Sequence, residues 1–220
     1  MRRSILMLGP LLAIAGAAWA NTGLHLSDTE TVMAHPDLLV ATLQAIANAP
    51  SAAAAQQQVN AAVSAALARA RQVPNVTVST QQYTSWQPKE QGSWQASQAI
   101  RLSSHDGAAL LALAGQLQAS GLAATELGWE LSPEATRTAR DQAMGEAIAN
   151  LHSRADEAAQ LLGLRFLSFD KVNIATPPPF PGPRMVGLAM AAAAPARPNA
   201  VAEDVPVSAT VQADATLVPK

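Results

Sequence analysis

The chain of 220 residues contains no cysteine, which excludes disulfide bonds and thiolate chemistry. Its stability must therefore come from apolar burial and hydrogen bonding. Aromatic residues make up only 4% of the chain although 49% of it is hydrophobic, so we expect a core of aliphatic and small side chains. The sequence also has no glycine-rich phosphate loop and no G-x-S-x-G segment, the turn that presents a nucleophilic serine in many hydrolases.

Charge is scarce as well. Charged residues make up 14% of the chain, and the formal net charge is −2 at pH 7. A mildly acidic chain without a basic patch does not favour nucleic acid as a partner, because phosphate backbones are bound by clustered lysine and arginine.

The first 20 residues have the pattern of a secretory signal peptide. Arg2 and Arg3 precede an apolar run over residues 5–18, which is shorter than the roughly 20 residues of a membrane-spanning helix. The segment closes on small residues at Ala18 and Ala20, so cleavage after Ala20 is predicted. General secretion is favoured, with twin-arginine export as the alternative. The resulting protein of residues 21–220 is expected to be a single periplasmic domain, with association to the outer membrane left open.

Hydrophobic periodicity and turn residues predict an α+β chain. The predicted strands are residues 24–35, with an interruption near Asp28, then 38–47, 76–86, 93–103, 123–131, 165–175 and 205–217. The predicted helices are residues 51–72, 106–120 and 132–162, starting at the capping residues Ser51, Asp106 and Ser132.

The order of these elements indicates a duplicated strand-helix-strand-strand unit with an antiparallel or mixed sheet. The first copy covers residues 38–103 and the second begins at residue 123. The helix of the second copy is the longest element and is rich in alanine. Its predicted inner stripe is Ala135, Ala139, Ala143, Ala147, Leu151, Ala155, Ala158 and Leu162.

One segment fits no helix or strand pattern. Residues 176–203 contain three consecutive prolines, an alanine run and several apolar residues without periodicity. Apolar residues of this kind favour a contact surface, either between subunits, with an envelope protein or at a membrane surface, and disorder is the remaining alternative. The residues predicted to form this interaction loop are Phe180, Met185, Val186, Leu188 and Met190.

Several strings, taken in order, resemble the SIMPL-domain family of exported periplasmic or outer-membrane proteins, often described as immunogenic or as oxidative-stress defence proteins. They are H-P-D at residues 35–37, GSWQASQAIRL at 92–102, SPEATRTARDQAMGEAI at 132–148, RADEAAQLLGLRFLSF at 154–169 and the final strand VPVSATVQADATLV. The resemblance implies a periplasmic α+β protein that forms oligomers and is linked to envelope stress. The sequence departs from the family pattern at residues 27–29, where glycines are usual, and at Asn150 and Leu151, where an Asp-Ala pair is common.

No catalytic residue and no cofactor are predicted. The best candidates for a metal site are His152 and Asp156, four residues apart on one helix, but two ligands on a solvated helix are more typical of a local ion pair. His105 and Asp106 are interpreted as helix-capping residues. Trp86, Trp94 and Trp129 are interpreted as packing residues, with a ligand groove as the alternative.

Two functional hypotheses follow from these features. The first is a non-catalytic envelope protein that acts by self-assembly, as a homo-oligomer, or by binding a partner. The second is a periplasmic enzyme that binds a small molecule or a metal. A deep pocket with converging His, Asp or Glu side chains would favour the second hypothesis.

Overall fold

The computed structural model describes residues 21–88, 92–177, 185–186 and 200–220, and it confirms the α+β class. The strands are β1 (Thr22–Ala34), β2 (Leu38–Ala49), β3 (Thr77–Trp86), β4 (Trp94–Ser104), β5 (Ala123–Glu130), β6 (Leu164–Ala175), β7 (Met185–Val186) and β8 (Val205–Pro219). The helices are α1 (Ala52–Ala70), α2 (Gly107–Ala119) and α3 (Pro133–Leu161). Each predicted helix starts where its capping residue placed it: Ser51, Asp106 and Ser132 all accept a hydrogen bond from the backbone N–H three residues later.

The larger half of the molecule is a five-stranded antiparallel sheet in the order β3-β4-β2-β5-β7, with α1 and α2 packed on it. Because β2 and β3 are both antiparallel to β4, they run parallel to each other on either side of it, joined by α1. The strands β4 and β5 flank β2 in the same way and are joined by α2. This arrangement of two split β-α-β units is the ferredoxin-like topology.

The smaller half is a three-stranded antiparallel sheet in the order β1-β8-β6, covered on one face by α3. Polar contacts also tie the helix to β1: Arg154 donates to the backbone oxygen of Ser27 and lies 3.1 Å from the Asp28 carboxylate, and Asn150 donates to Glu30. The predicted interruption at Asp28 is therefore wrong. The strand runs through this residue in register with Val211 because Arg154 compensates the charge of Asp28.

The strand order in space shows how the two halves are related. In the larger sheet β2, the strand that precedes α1, lies beside β4, the last strand of the first strand-helix-strand-strand unit. In the smaller sheet the corresponding place beside β8 is taken by β1, from the start of the chain, and not by β5, which precedes α3. The chain thus crosses between the halves at residues 35–37, at 131–132 and between β6 and β8.

Each half buries its own apolar cluster among the described residues. The larger cluster includes Leu39, Leu43, Ile100, Leu110 and Leu113, and the smaller one includes Leu26, Leu151 and Val211 with several alanines. Both clusters consist of aliphatic side chains, as the low aromatic content predicts.

The predicted inner stripe of α3 agrees largely with the buried residues up to Ala155, and the prediction is wrong at the end of the helix. The next buried residue is Ala159 rather than Ala158, and Leu162 is 59% exposed. Residues four apart rotate by about 40° per step around a helix, so a row of every fourth residue winds around the axis. The contact between α3 and the smaller sheet follows this row because the sheet beneath the helix is twisted.

Candidate functional site

His152 and Asp156, the weak candidates for a metal site, form a local ion pair. Nδ1 of His152 lies 3.3 Å from Oδ2 of Asp156, and both side chains are about half exposed. The imidazole also contacts the rings of Phe166 and Phe169 edge-on, with centroid distances of 5.0 and 6.2 Å. Within residues 21–88, 92–177 and 200–220, no three His, Asp or Glu side chains are grouped so that they could hold a metal ion.

The predicted interaction loop falls mostly outside the described residues. Phe180, Leu188 and Met190 belong to that part of the chain, so their predicted role stays a prediction. Met185 and Val186 form β7, whose backbone pairs with Leu127 and Glu126 of β5. These two residues thus lie at the edge of the larger sheet, beside β5.

A polar junction forms where the chain passes between the halves at the H-P-D string. Oδ1 of Asp37 accepts a hydrogen bond of 2.7 Å from the backbone N–H of Ser132, the capping residue of α3. Nδ1 of His105 lies 2.8 Å from the backbone oxygen of Asp37 and 3.5 Å from its carboxylate. His35 lies 2.8 Å from Asp204, just before β8. These contacts therefore connect the segments that precede β2, α2, α3 and β8.

The surroundings of Asp37 lower the pKa of its carboxyl group. Partial burial raises the pKa of its carboxyl group, but hydrogen bonds from the N–H and hydroxyl of Ser132 and from its own N–H outweigh burial, with the His105 imidazole adding to their effect. The net result is a pKa below the ordinary value of 3.8. The H-P-D string was the one signal in the sequence that marked Asp37, because its partner Ser132 is distant in the chain.

A groove of about 340 Å³ opens beside this junction, lined by His35, Asp37 and Glu134 among other residues. The first two side chains are already engaged with Asp204 and with Ser132. Each of the four histidines of the chain lies within 3.5 Å of an aspartate, and all four imidazoles are exposed. Among the described residues, no hydrogen bond joins any of them to a hydroxyl group, the arrangement that activates a serine or threonine nucleophile.

Two of the three tryptophans are packing residues, as interpreted from the sequence. Trp94 and Trp129 pack against the larger core, and the indole N–H of Trp129 donates to the backbone oxygen of Ala200 at 3.1 Å. Trp86 lies at the end of the edge strand β3 and is 43% exposed. The ring of Trp129 lies directly over Gly107, the first residue of α2.

The face of the larger sheet opposite α1 and α2 carries a polar network. Arg101 and Glu130 form an ion pair at 2.7 Å, and Thr42 donates to Glu126. The Ser97 hydroxyl, which is buried, bonds to Thr84 and receives a hydrogen bond from Gln44. These side chains satisfy one another across neighbouring strands, which stabilises the sheet.

Three leucines at and just after the turn between α3 and β6 are exposed. Leu161 is 89% exposed, Leu162 59% and Leu167 52%. Leu167 is the extra residue of a β-bulge, since Phe166 pairs with Leu217 and Ser168 with Thr216. A bulge of this kind turns its side chain away from the regular alternation of the strand. We call these three residues the leucine patch.

A second groove, of about 730 Å³, lies between the first half of α3 and the end of β6. Its apolar lining comprises Leu131, Met144 and Ile174, and its charged lining comprises Arg137, Arg140 and Asp141. We call it the arginine groove. The only signal for this groove in the sequence is the pair of arginines on one helix face, because Ile174 is distant in the chain from the first half of α3.

Comparison with known proteins identifies the family. Residues 24–215 match the model of the SIMPL family, described as a protein of unknown function (DUF541), and the chain belongs to that family. The match extends from β1 to β8 and so includes both halves of the molecule. No curated protein matches the chain significantly. In the described residues, no helix is both long and apolar enough to cross a membrane.

Proposed function

We propose that this protein is a non-catalytic component of the periplasm that acts by self-assembly, with a role in envelope or oxidative stress defence. The leucine patch is the observation that supports assembly. Exposed large apolar side chains that lie close together in the chain lose the free energy of burial, which contact with a partner would recover. A second copy of the chain is the occupant that we propose for the patch.

The contact is expected to form through side chains rather than by strand addition. The outer edge of β6 pairs with no strand among the described residues, but bulges at Leu167 and Asp170 interrupt the strand. Bulged edges pair poorly with another strand. Uncharged leucines, in contrast, are complementary to the same leucines in a symmetric partner, which suits a contact between identical subunits.

The state of assembly tests this proposal. We expect light scattering after size exclusion, at tens of micromolar, to show an oligomer for the wild type and a smaller species for Leu161→Glu combined with Leu167→Glu. Ala149→Glu, an exposed position on the same helix, is the matched control and should leave the oligomer intact. A monomeric wild type, or an oligomer unchanged by the double substitution, would contradict the proposal. Binding of the wild type but not the variant to lipid vesicles would identify a membrane contact instead.

Export is proposed from the signal sequence alone. We expect the periplasmic fraction to contain a protein whose intact mass corresponds to a chain that begins at Asn21. Retention of Met1, or recovery only in the cytosol, would remove this part of the proposal. A role in stress defence predicts that a strain lacking the protein is more sensitive to peroxide and that the assembling wild type restores resistance.

A further inference from the structure

We infer that the arginine groove binds a fatty carboxylate, an amphiphile with one anionic head group and an apolar tail. The groove is separate from the leucine patch. Arg137 and Leu161 are 24 residues apart on α3, which places them about 36 Å apart along the helix axis. The inference therefore goes beyond the proposed function and does not depend on it.

The two guanidinium groups of the groove are available to a ligand. Neither Arg137 nor Arg140 forms an ion pair or a side-chain hydrogen bond with another described residue, and Nε of Arg140 is buried without a partner. A buried donor without a partner costs free energy, so a movement of the Arg140 side chain that lets a ligand accept this hydrogen bond recovers that energy. Carboxylates fit this donor because guanidinium groups bind them through two parallel hydrogen bonds.

The net charge of the lining favours a single negative charge. Two arginines and Asp141 leave one positive charge in excess. A monoanionic carboxylate neutralises this charge, whereas a phosphate dianion leaves an uncompensated negative charge beside Asp141.

The apolar lining of the groove suits an apolar tail. Leu131 and Met144 are half-buried, and Ile174 is 43% exposed although it faces the same side of the sheet as the buried Val211. Val172, two residues before Ile174, is 52% exposed on that side and extends the apolar surface. The exposed side chains at this end of β6 show that α3 leaves part of the sheet uncovered. The volume of the groove lies in the range of small-molecule sites.

Binding of decanoate, below its micelle concentration, to the purified protein tests the inference by calorimetry. We expect saturable binding that weakens about tenfold or more in Arg137→Gln combined with Arg140→Gln, because both charge-assisted contacts are lost. Arg71→Gln, an exposed arginine in the larger half, is the matched control and should bind as the wild type does. Asp141→Asn should strengthen binding, since it removes the competing negative charge.

Other probes separate the two parts of the ligand. Decanol should bind more weakly than decanoate because it lacks the charge, and acetate should bind more weakly because it lacks the tail. Equal binding of either probe, tighter binding of decyl phosphate, or decanoate binding that survives the double arginine substitution would each overturn the inference. It would also fail if decanoate did not bind at millimolar concentration, or if the double substitution changed the oligomeric state, which would make the groove a contact between copies.

Discussion

The carboxylate of Asp37 accepts a hydrogen bond from the backbone N–H of Ser132, a residue 95 positions further along the chain. Asp37 lies between β1 and β2, and Ser132 lies between β5 and α3. Each residue is therefore in a segment where the chain passes from one half of the molecule to the other. The hydrogen bond fastens these two segments together and places the start of α3 beside the start of the larger sheet.

Replacing Asp37 with alanine should lower the free energy of unfolding by about 1 to 2 kcal/mol, the range for a hydrogen bond to a charged group reduced for partial exposure. Urea unfolding monitored by circular dichroism measures this loss. The control is Asp214→Ala, which removes an exposed carboxylate paired with His25 on the outer face of β8 and should cost less. Equal losses in the two variants would mean that Asp37 has no special role at the junction.

The junction should also weaken in acid. Because the pKa of Asp37 is lowered by folding, the charged carboxylate stabilises the native state above the unfolded-state pKa, and this contribution is lost as the pH falls through the folded-state pKa, below 3.8. The stability difference between the wild type and Asp37→Asn should therefore be constant near neutrality and shrink below about pH 4. Urea unfolding at a series of pH values measures it. A difference that stays the same down to pH 3 would contradict the assigned hydrogen bonds.

Gly107 should not tolerate a side chain. A Cβ atom there would lie 2.8 Å from Cη2 and Cζ2 of Trp129, whose indole is held by its hydrogen bond to Ala200. We expect Gly107→Ala to destabilise the protein by about 1 to 3 kcal/mol through overpacking. Gly115→Ala, in the middle of the same helix, meets no atom within 4 Å and should stabilise it by about 0.5 to 1 kcal/mol. Thermal unfolding of both variants tests this prediction. Melting temperatures that shift in the same direction would rule out the steric explanation.

The alanine stripe of α3 should be equally intolerant of larger side chains. Ala147 is fully buried in the smaller core with Ala213 and Ala215, so Ala147→Leu should cost about 1 to 3 kcal/mol. Ala149→Leu, on the exposed side of the helix, should change stability by less than about 0.5 kcal/mol. If the melting temperatures of the two variants agree, the helix does not pack as closely on the sheet as the structure shows.

Local structure followed from the sequence by itself. Ser51, Asp106 and Ser132 marked the helix starts, and the alternation from Val205 to Leu217 marked β8, whose alternate residues are buried. These features depend on residues that are close together in the chain, because a cap bonds to an N–H three residues away and a strand alternates at every second residue.

Only the tertiary structure decided which distant residues meet. It placed β1 rather than β5 beside β8, brought Asp37 to Ser132, and put Ile174 opposite Arg137 and Arg140. The sequence contains no local signal for these encounters, since they depend on how whole strands and helices pack to bury their apolar faces. The elements of this protein are thus encoded locally, whereas its junction and its arginine groove result from long-range packing between elements.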